Sequence, residues 1–85
     1  MAEKELVGKV THFFDKIGVA VIELEKHVKD GEEISIEGAT THFTQPITSM
    51  QINHKEIKEA KPGDSIGMKM SEKVRPGDHV FRLMG

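Results

Sequence analysis

AKPGDSIGMKMSEKVRPGDHVF, residues 60–81, contains Pro-Gly-Asp twice, at Pro62-Gly63-Asp64 and Pro76-Gly77-Asp78. The chain has only three prolines, so two of them serve one purpose. Each triplet precedes a short alternating stretch: SIGMKM, where Ile66, Met68 and Met70 share one face, and HVFRLM. A third turn of the same kind, Asp30-Gly31-Glu32, precedes EISIEG. Proline presets φ at the first central turn position, and glycine tolerates the positive φ needed at the next. Three such entrances predict short strands joined by tight turns, the pattern of a small all-β barrel. Closure into a barrel would also remove the sheet edges that a small domain must otherwise protect.

The rest of the chain reads in the same way. Residues 1–5 are expected as a short lead-in and residues 6–85 as one domain. LVGKVTHFF (residues 6–14) and IGVAVIELE (17–25) are rich in β-branched and aromatic residues, with a turn at Asp15-Lys16 between them. ATTHFTQPITSMQI (39–52) reads as a loop feeding a longer strand. Pro46 argues for an edge or a bulge there, and Ile47 and Met50 break alternation around Ser49. NHKEIKEA (53–60) is the one stretch with a helical spacing, Ile57 to Ala60, but it is short and stopped by Pro62, so it reads equally as a strand stub or as a single helical turn near residues 54–60. The expected architecture is a closed antiparallel β-barrel of about six or seven strands. Val10, Ala20, Ile22, Leu24, Ile34, Ile36, Met50, Ile52, Ile66, Met68 and Val80 are expected to point inward, with Met70 on the Met68 face.

Composition narrows the function. A chain of 85 residues is one small domain with a thin core, poorly suited to a large enclosed active site. The absence of cysteine removes disulfides, thiolate metal sites and thiol nucleophiles together. The charged N-terminus does not read as a signal peptide, and no apolar run approaches the ~20 residues of a membrane span. These features lead us to expect a cytoplasmic protein. Net charge is −2 but uneven: residues 1–45 carry −4 and residues 46–85 carry +2.

The motifs GEEISIEG, ITSMQI, the Ala60 to Met70 stretch and RPGDHVF, in that order, resemble the second domain of translational GTPases, the elongation factor Tu type of barrel. The residues on that pattern are Gly31, Gly38, Ser49, Met50, Gln51, Gly63, Asp64, Gly67, Gly77 and Asp78. The resemblance spans roughly residues 17–83. A closer one, carried by VGKVTHFFDKIGVAVIEL and TTHFTQPITSMQI, is to the small C-terminal barrel of collagenase-like peptidase proteins. Members of that larger family have been linked to RNA hydroxylation. The resemblances imply a reductase/isomerase/elongation-factor type of barrel, here as a stand-alone elongation-factor-like domain. No Gly-x-x-x-x-Gly-Lys-Ser/Thr loop occurs, so GTP binding is not expected of this chain.

From this follows the expectation of a non-enzymatic binding module for tRNA, rRNA or a ribonucleoprotein. The residues selected for it are Lys69, Lys73, Arg75 and Arg82, the basic C-terminal set, with Phe43 and His42 as a stacking pair. The other reading is a protein–protein adaptor for a separately encoded catalytic partner. No cofactor, metal or catalytic residue is expected. His12, His27, His42, His54 and His79 lack the close spacing of a ligand set, although a fold could bring His12 and His42 together. Adjacent Phe13 and Phe14 must point to opposite faces of a strand, one into the core and one outward.

Overall fold

A computed structural model describes residues 3–84. Among these residues every regular element is a strand. Ten strands run in chain order: β1 (Glu3–Phe14), β2 (Val19–Leu24), β3 (Val28–Lys29), β4 (Glu33–Glu37), β5 (His42–Pro46), β6 (Met50–Ile52), β7 (Lys55–Ile57), β8 (Glu59–Ala60), β9 (Ser65–Lys69) and β10 (His79–Met84). Eight form one sheet in the order β5-β4-β10-β1-β2-β9-β6-β7, and β3 pairs with β8 in a second, two-stranded sheet. All the pairings are antiparallel.

Three Gly-acid turns, two of them opened by proline, organise this arrangement. Gly31, Gly63 and Gly77 have φ of 92°, 93° and 98°, which an L side chain rarely adopts. In each turn the acid's N–H donates to the carbonyl three residues back: Glu32 to Lys29 at 3.2 Å, Asp64 to Lys61 at 3.1 Å, Asp78 to Arg75 at 3.1 Å. The acid's side chain then accepts from that same residue's N–H, at 2.6, 3.1 and 2.9 Å respectively. Each turn also docks on one apolar residue elsewhere. The Gly31, Gly63 and Gly77 N–H groups donate to the carbonyls of Ile47, Leu24 and Val10 at 2.8, 3.0 and 2.8 Å. Those three residues donate back to the carbonyls of Glu32, Asp64 and Asp78 at 2.8, 2.9 and 2.8 Å. Ile47, Leu24 and Val10 are all buried. Each turn therefore fixes a strand entrance and anchors it to the core in one step.

β1 is the longest strand, and two irregularities bend it. The register with β10 shifts between Leu6 and Gly8, and that with β2 shifts between Val10 and His12. Such bulges re-aim side chains and increase twist. β1 can thus pair with β10 along its first half and β2 along its second while Val7 and Val10 both face inward.

Ten of the eleven residues expected to point inward are buried, and Ile52 is half-buried. Val7, Val28, Ile47 and Val74 join them. The bulges lie in β1 and not at Ser49. Ile47 and Met50 are both buried because the chain leaves β5 after Pro46, docks Ile47 on the first turn, and re-enters the sheet at Met50. Of the two readings of residues 53–60, strand stub and single helical turn, the structure has the strand: a hairpin turn at Asn53-His54 leads into β7. Asn53 and His54 both have positive φ, 52° and 65°, which suits a two-residue turn between twisted strands. Ile57 and Ala60 then fall on separate short strands.

Closure also differs from expectation. Among the described residues no ladder joins β5 to β7, so the strand order is open, with eight strands rather than six or seven. One side chain spans part of the opening: Gln45 of β5 donates from Nε2 to the Lys69 carbonyl at 2.9 Å and accepts from the Ser71 N–H at 2.7 Å. Of the lead-in expected over residues 1–5, residues 3–5 form the start of β1, opposite Arg82–Met84, and residues 1–2 lie outside the described residues.

Gly63→Ala should destabilise the fold by about 1–2 kcal/mol, since alanine is strained at that φ. Pro62→Ala should cost under about 1 kcal/mol, because only the preset φ is lost. Urea unfolding followed by circular dichroism measures both. Equal effects would refute the role given to the glycine.

Candidate interaction surface

Six residues were selected from the sequence as an RNA-facing set, and the structure gives them separate tasks. Arg82 on β10 is a clamp. Its guanidinium bonds Glu5 of β1, lies 3.4 Å from Glu32, and donates to the His27 carbonyl at 2.6 Å. The bond to Glu5 is the main reason its pKa is raised, with burial opposing. Phe43 is half-buried against the core. His42 is exposed, opposite Glu37 in the register and 3.8 Å from its carboxylate. Lys69 donates to the Ile17 carbonyl at 2.9 Å. Lys73 is exposed after β9. Arg75 begins the third turn, its N–H held by Asp78. Arg82 and Phe43 are thus committed to the fold.

Glu37 accepts from Lys4 at 2.7 Å and from the Ser35 hydroxyl at 2.8 Å. Those bonds, the Lys4 one foremost, hold its carboxyl below the ordinary value despite some burial. A depressed folded pKa stabilises above the unfolded pKa and is lost as pH falls through the folded one. The described His, Asp and Glu residues form no group of three or more suited to a metal. His12 lies against Phe14, with ring centroids 4.3 Å apart, while His42 faces Glu37.

The distinctive surface lies at the β1–β2 tip. Phe13 packs against the core and Phe14 points outward, the split their adjacency requires. The turn between the strands is tight: the Ile17 and Gly18 N–H groups both donate to the Phe14 carbonyl, at 3.2 and 2.9 Å, and Gly18 has φ of 68°. With the Lys69 bond added, the backbone of Ile17 is fixed while its side chain stays in solvent. Phe14 and Ile17 are 47% and 59% exposed and lie together at one tip, and contiguous exposed apolar groups, unlike scattered single ones, mark contact surfaces. Val19 and Val21, outward on β2 ahead of the exposed Glu23, continue this apolar face. On β9, Gly67 leaves it open, since a Cβ there would meet Val19 at 3.3 Å. The result is a groove of about 320 Å³ with Phe14, Ile17, Val19 and Val21 on one side and Gln51, Asn53 and His54 on the other. The sequence carried the Phe13-Phe14 signal, but Ile17 reads there only as the start of a strand.

No protein-family model matches the chain. An uncharacterized protease of Methanocaldococcus jannaschii is 44% identical over 78 residues, 91% of this chain and 19% of that protein. A collagenase of Porphyromonas gingivalis is 34% identical over 83 residues, 95% of this chain and 23% of that protein. The chain thus spans about a fifth of the length of these curated relatives. The crystal structure of the C-terminal domain of a Geobacillus thermoleovorans protein described as a U32 peptidase superposes with a TM-score of 0.86 at 22% identity, covering 92% of this chain and 91% of that one. The chain has the fold of that C-terminal domain.

These comparisons bear out the collagenase-like resemblance and correct the other. They lead to proteases and collagenases, not to translation factors, and so overturn the reading as a translation-associated RNA-binding module. They give no support to a stand-alone elongation-factor-like protein. The Gly-acid turns explain the error. They specify how strands begin in a small β-domain, whichever protein carries it.

Two outcomes test the ion pairs. Arg82→Met should lower stability by about 1–2 kcal/mol in urea unfolding, because Glu5 and Glu32 lose a half-buried partner. Lys4→Met should cost under about 1 kcal/mol near neutral pH, and its gap from the parent should narrow as pH falls below the ordinary carboxylate value of 4.5 and through the lower folded one. A gap that widened on acidification would contradict the Glu37 assignment.

Proposed function

We propose that the chain is a non-catalytic accessory domain that works with a peptidase-type catalytic portion and contacts it through the Phe14–Ile17 face. The observation that carries this reading is the match of nearly the whole chain to about a fifth of proteins named as a protease and a collagenase. The remaining four fifths of those proteins have no counterpart in this sequence and are where the reading puts the chemistry. The geometry supports the choice of face. A rigidly held Ile17 and an outward Phe14 beside a groove present apolar area without loss of backbone freedom on binding. Since each is already about half covered, burying the rest of either side chain contributes roughly 1–1.5 kcal/mol. Closure of the sheet into a barrel belongs to the same reading, with Gln45 as its seam, because a closed wall would hold that face rigid.

The test is a chimera in which this chain replaces the matched segment of the Methanocaldococcus jannaschii protein. Amide exchange of residues 12–21 is compared with that in the chain alone. Protection of about tenfold or more is expected, lost with Ile17→Asp or Phe14→Asp, both at exposed positions. Protection confined to another face would remove the tip from the proposal. Unchanged exchange throughout the domain would overturn the accessory reading itself.

A further inference from the structure

The three Gly-acid turns are alike in their bonding and differ in what surrounds their acids. Glu32 faces the Arg82 guanidinium. Asp64 is partly exposed. Asp78 is 5% exposed and lies under the loop that follows β4. Its Oδ1 occupies the space beside Gly38 so closely that a Cβ there would sit 1.9 Å away. Oδ2 accepts from the Arg75 N–H, and Oδ1 carries no bond. Among the described residues no fully buried polar side-chain atom lacks a partner, so Oδ1 retains contact with solvent. The opening available to it is a hollow of about 460 Å³ lined by Gly38, Thr40, Asp78, Arg75 and His79.

This hollow joins groups of opposite preference. Asp78 Oδ1 is a carboxylate oxygen on a nearly buried side chain, bonded to no protein donor and open only to solvent, so it can accept from a ligand's donor. Arg75 makes no ion pair with any carboxylate among the described residues, and its bonding in the turn uses only the backbone, so its guanidinium is available to an anion. His79, on the same rim, adds a second nitrogen donor when its tautomer or charge allows. A ligand that satisfies both sides carries a carboxylate and, a bond or two away, an N–H. We propose that this hollow binds the carboxyl-terminal end of a peptide. The terminal carboxylate lies on Arg75, with His79 beside it, and the N–H of the last peptide bond donates to Asp78 Oδ1. An arginine is suited to the first contact because its planar fork matches a carboxylate. Capture of a chain end by backbone and charged groups of a loop is a recurrent mode of peptide recognition. The hollow is lined by the β4–β5 loop and the third turn, and shares no lining residue with the Phe14–Ile17 groove, so the proposal stands or falls independently of the accessory reading.

The experiment is an NMR titration of the isotope-labelled chain with acetyl-Gly-Ala as the free acid, as its amide, and with acetate. The acid is expected to give saturable shifts in residues 38–40 and 75–79. The amide and acetate should each bind roughly tenfold more weakly, since each lacks one of the two contacts. Arg75→Gln, which keeps the backbone staple, should weaken the acid by a similar factor, and Arg75→Lys should restore part of it. Equal binding of acid and amide, equal binding of acid and acetate, shifts centred elsewhere, or no saturable shift at millimolar peptide would each overturn the proposal.

Discussion

Much of this structure depends on a pair of backbone hydrogen bonds made three times. In each case a glycine at positive φ donates to an apolar residue's carbonyl, and that residue donates back to the carbonyl of the acid that follows. The turn would otherwise leave these groups to water. The docking residue would otherwise bring unpaired backbone into the core, which is costly. Each satisfies the other. Ile47, Leu24 and Val10 can therefore be buried at places where the strand ladder has ended or is bent. The acidic side chain completes the unit by taking up the first N–H of its own turn. A domain with a thin core gains order here from local bonds and not from volume.

The other joints of the fold are made by side chains. Arg82 ties β10 to β1, to the first turn and to the approach to β3. Gln45 uses both ends of its amide where strand pairing stops. Gln45 stands where backbone pairing has stopped, whereas Arg82 works from within the ladder, opposite Glu5, and reaches beyond it to the first turn. With the frame held in this way, the outer face of β1 and β2 is free to carry Phe14, Ile17, Val19 and Val21, which the core does not require.

Most of the core was legible in the sequence because alternation and the Pro-Gly-acid turns report on the same thing, the point where a strand begins and the face it buries. Val7 and Ile47 were harder to read. Val7 faces inward because of a bulge, which has no composition signal, and Ile47 because of a dock to a turn far away in the chain. The Asn53-His54 turn was missed because the usual mark of such a turn is a glycine, and two non-glycine residues at positive φ look like ordinary polar residues. Of the site, the outward Phe14 followed from its neighbour, whereas the exposure of Ile17 depends on a tight turn and a lysine more than fifty residues away. The basic residues look alike in the sequence. Only their neighbours reveal that Arg82 is bound within the fold and Arg75 is not.

The longest strand pairs with the last one to be made. Glu5 and Arg82 meet although 77 residues separate them, and Val10 receives its turn from Gly77 and Asp78. During synthesis β1 precedes β10 and waits, one edge open, until the intervening strands of the domain have been made. That pairing closes the longest loop of the domain, and together with the β2–β9 pairing it makes for slow folding at a given stability. The charges of β1, Glu3, Lys4, Glu5 and Lys9, are then the nascent chain's protection against pairing with a stranger during that interval.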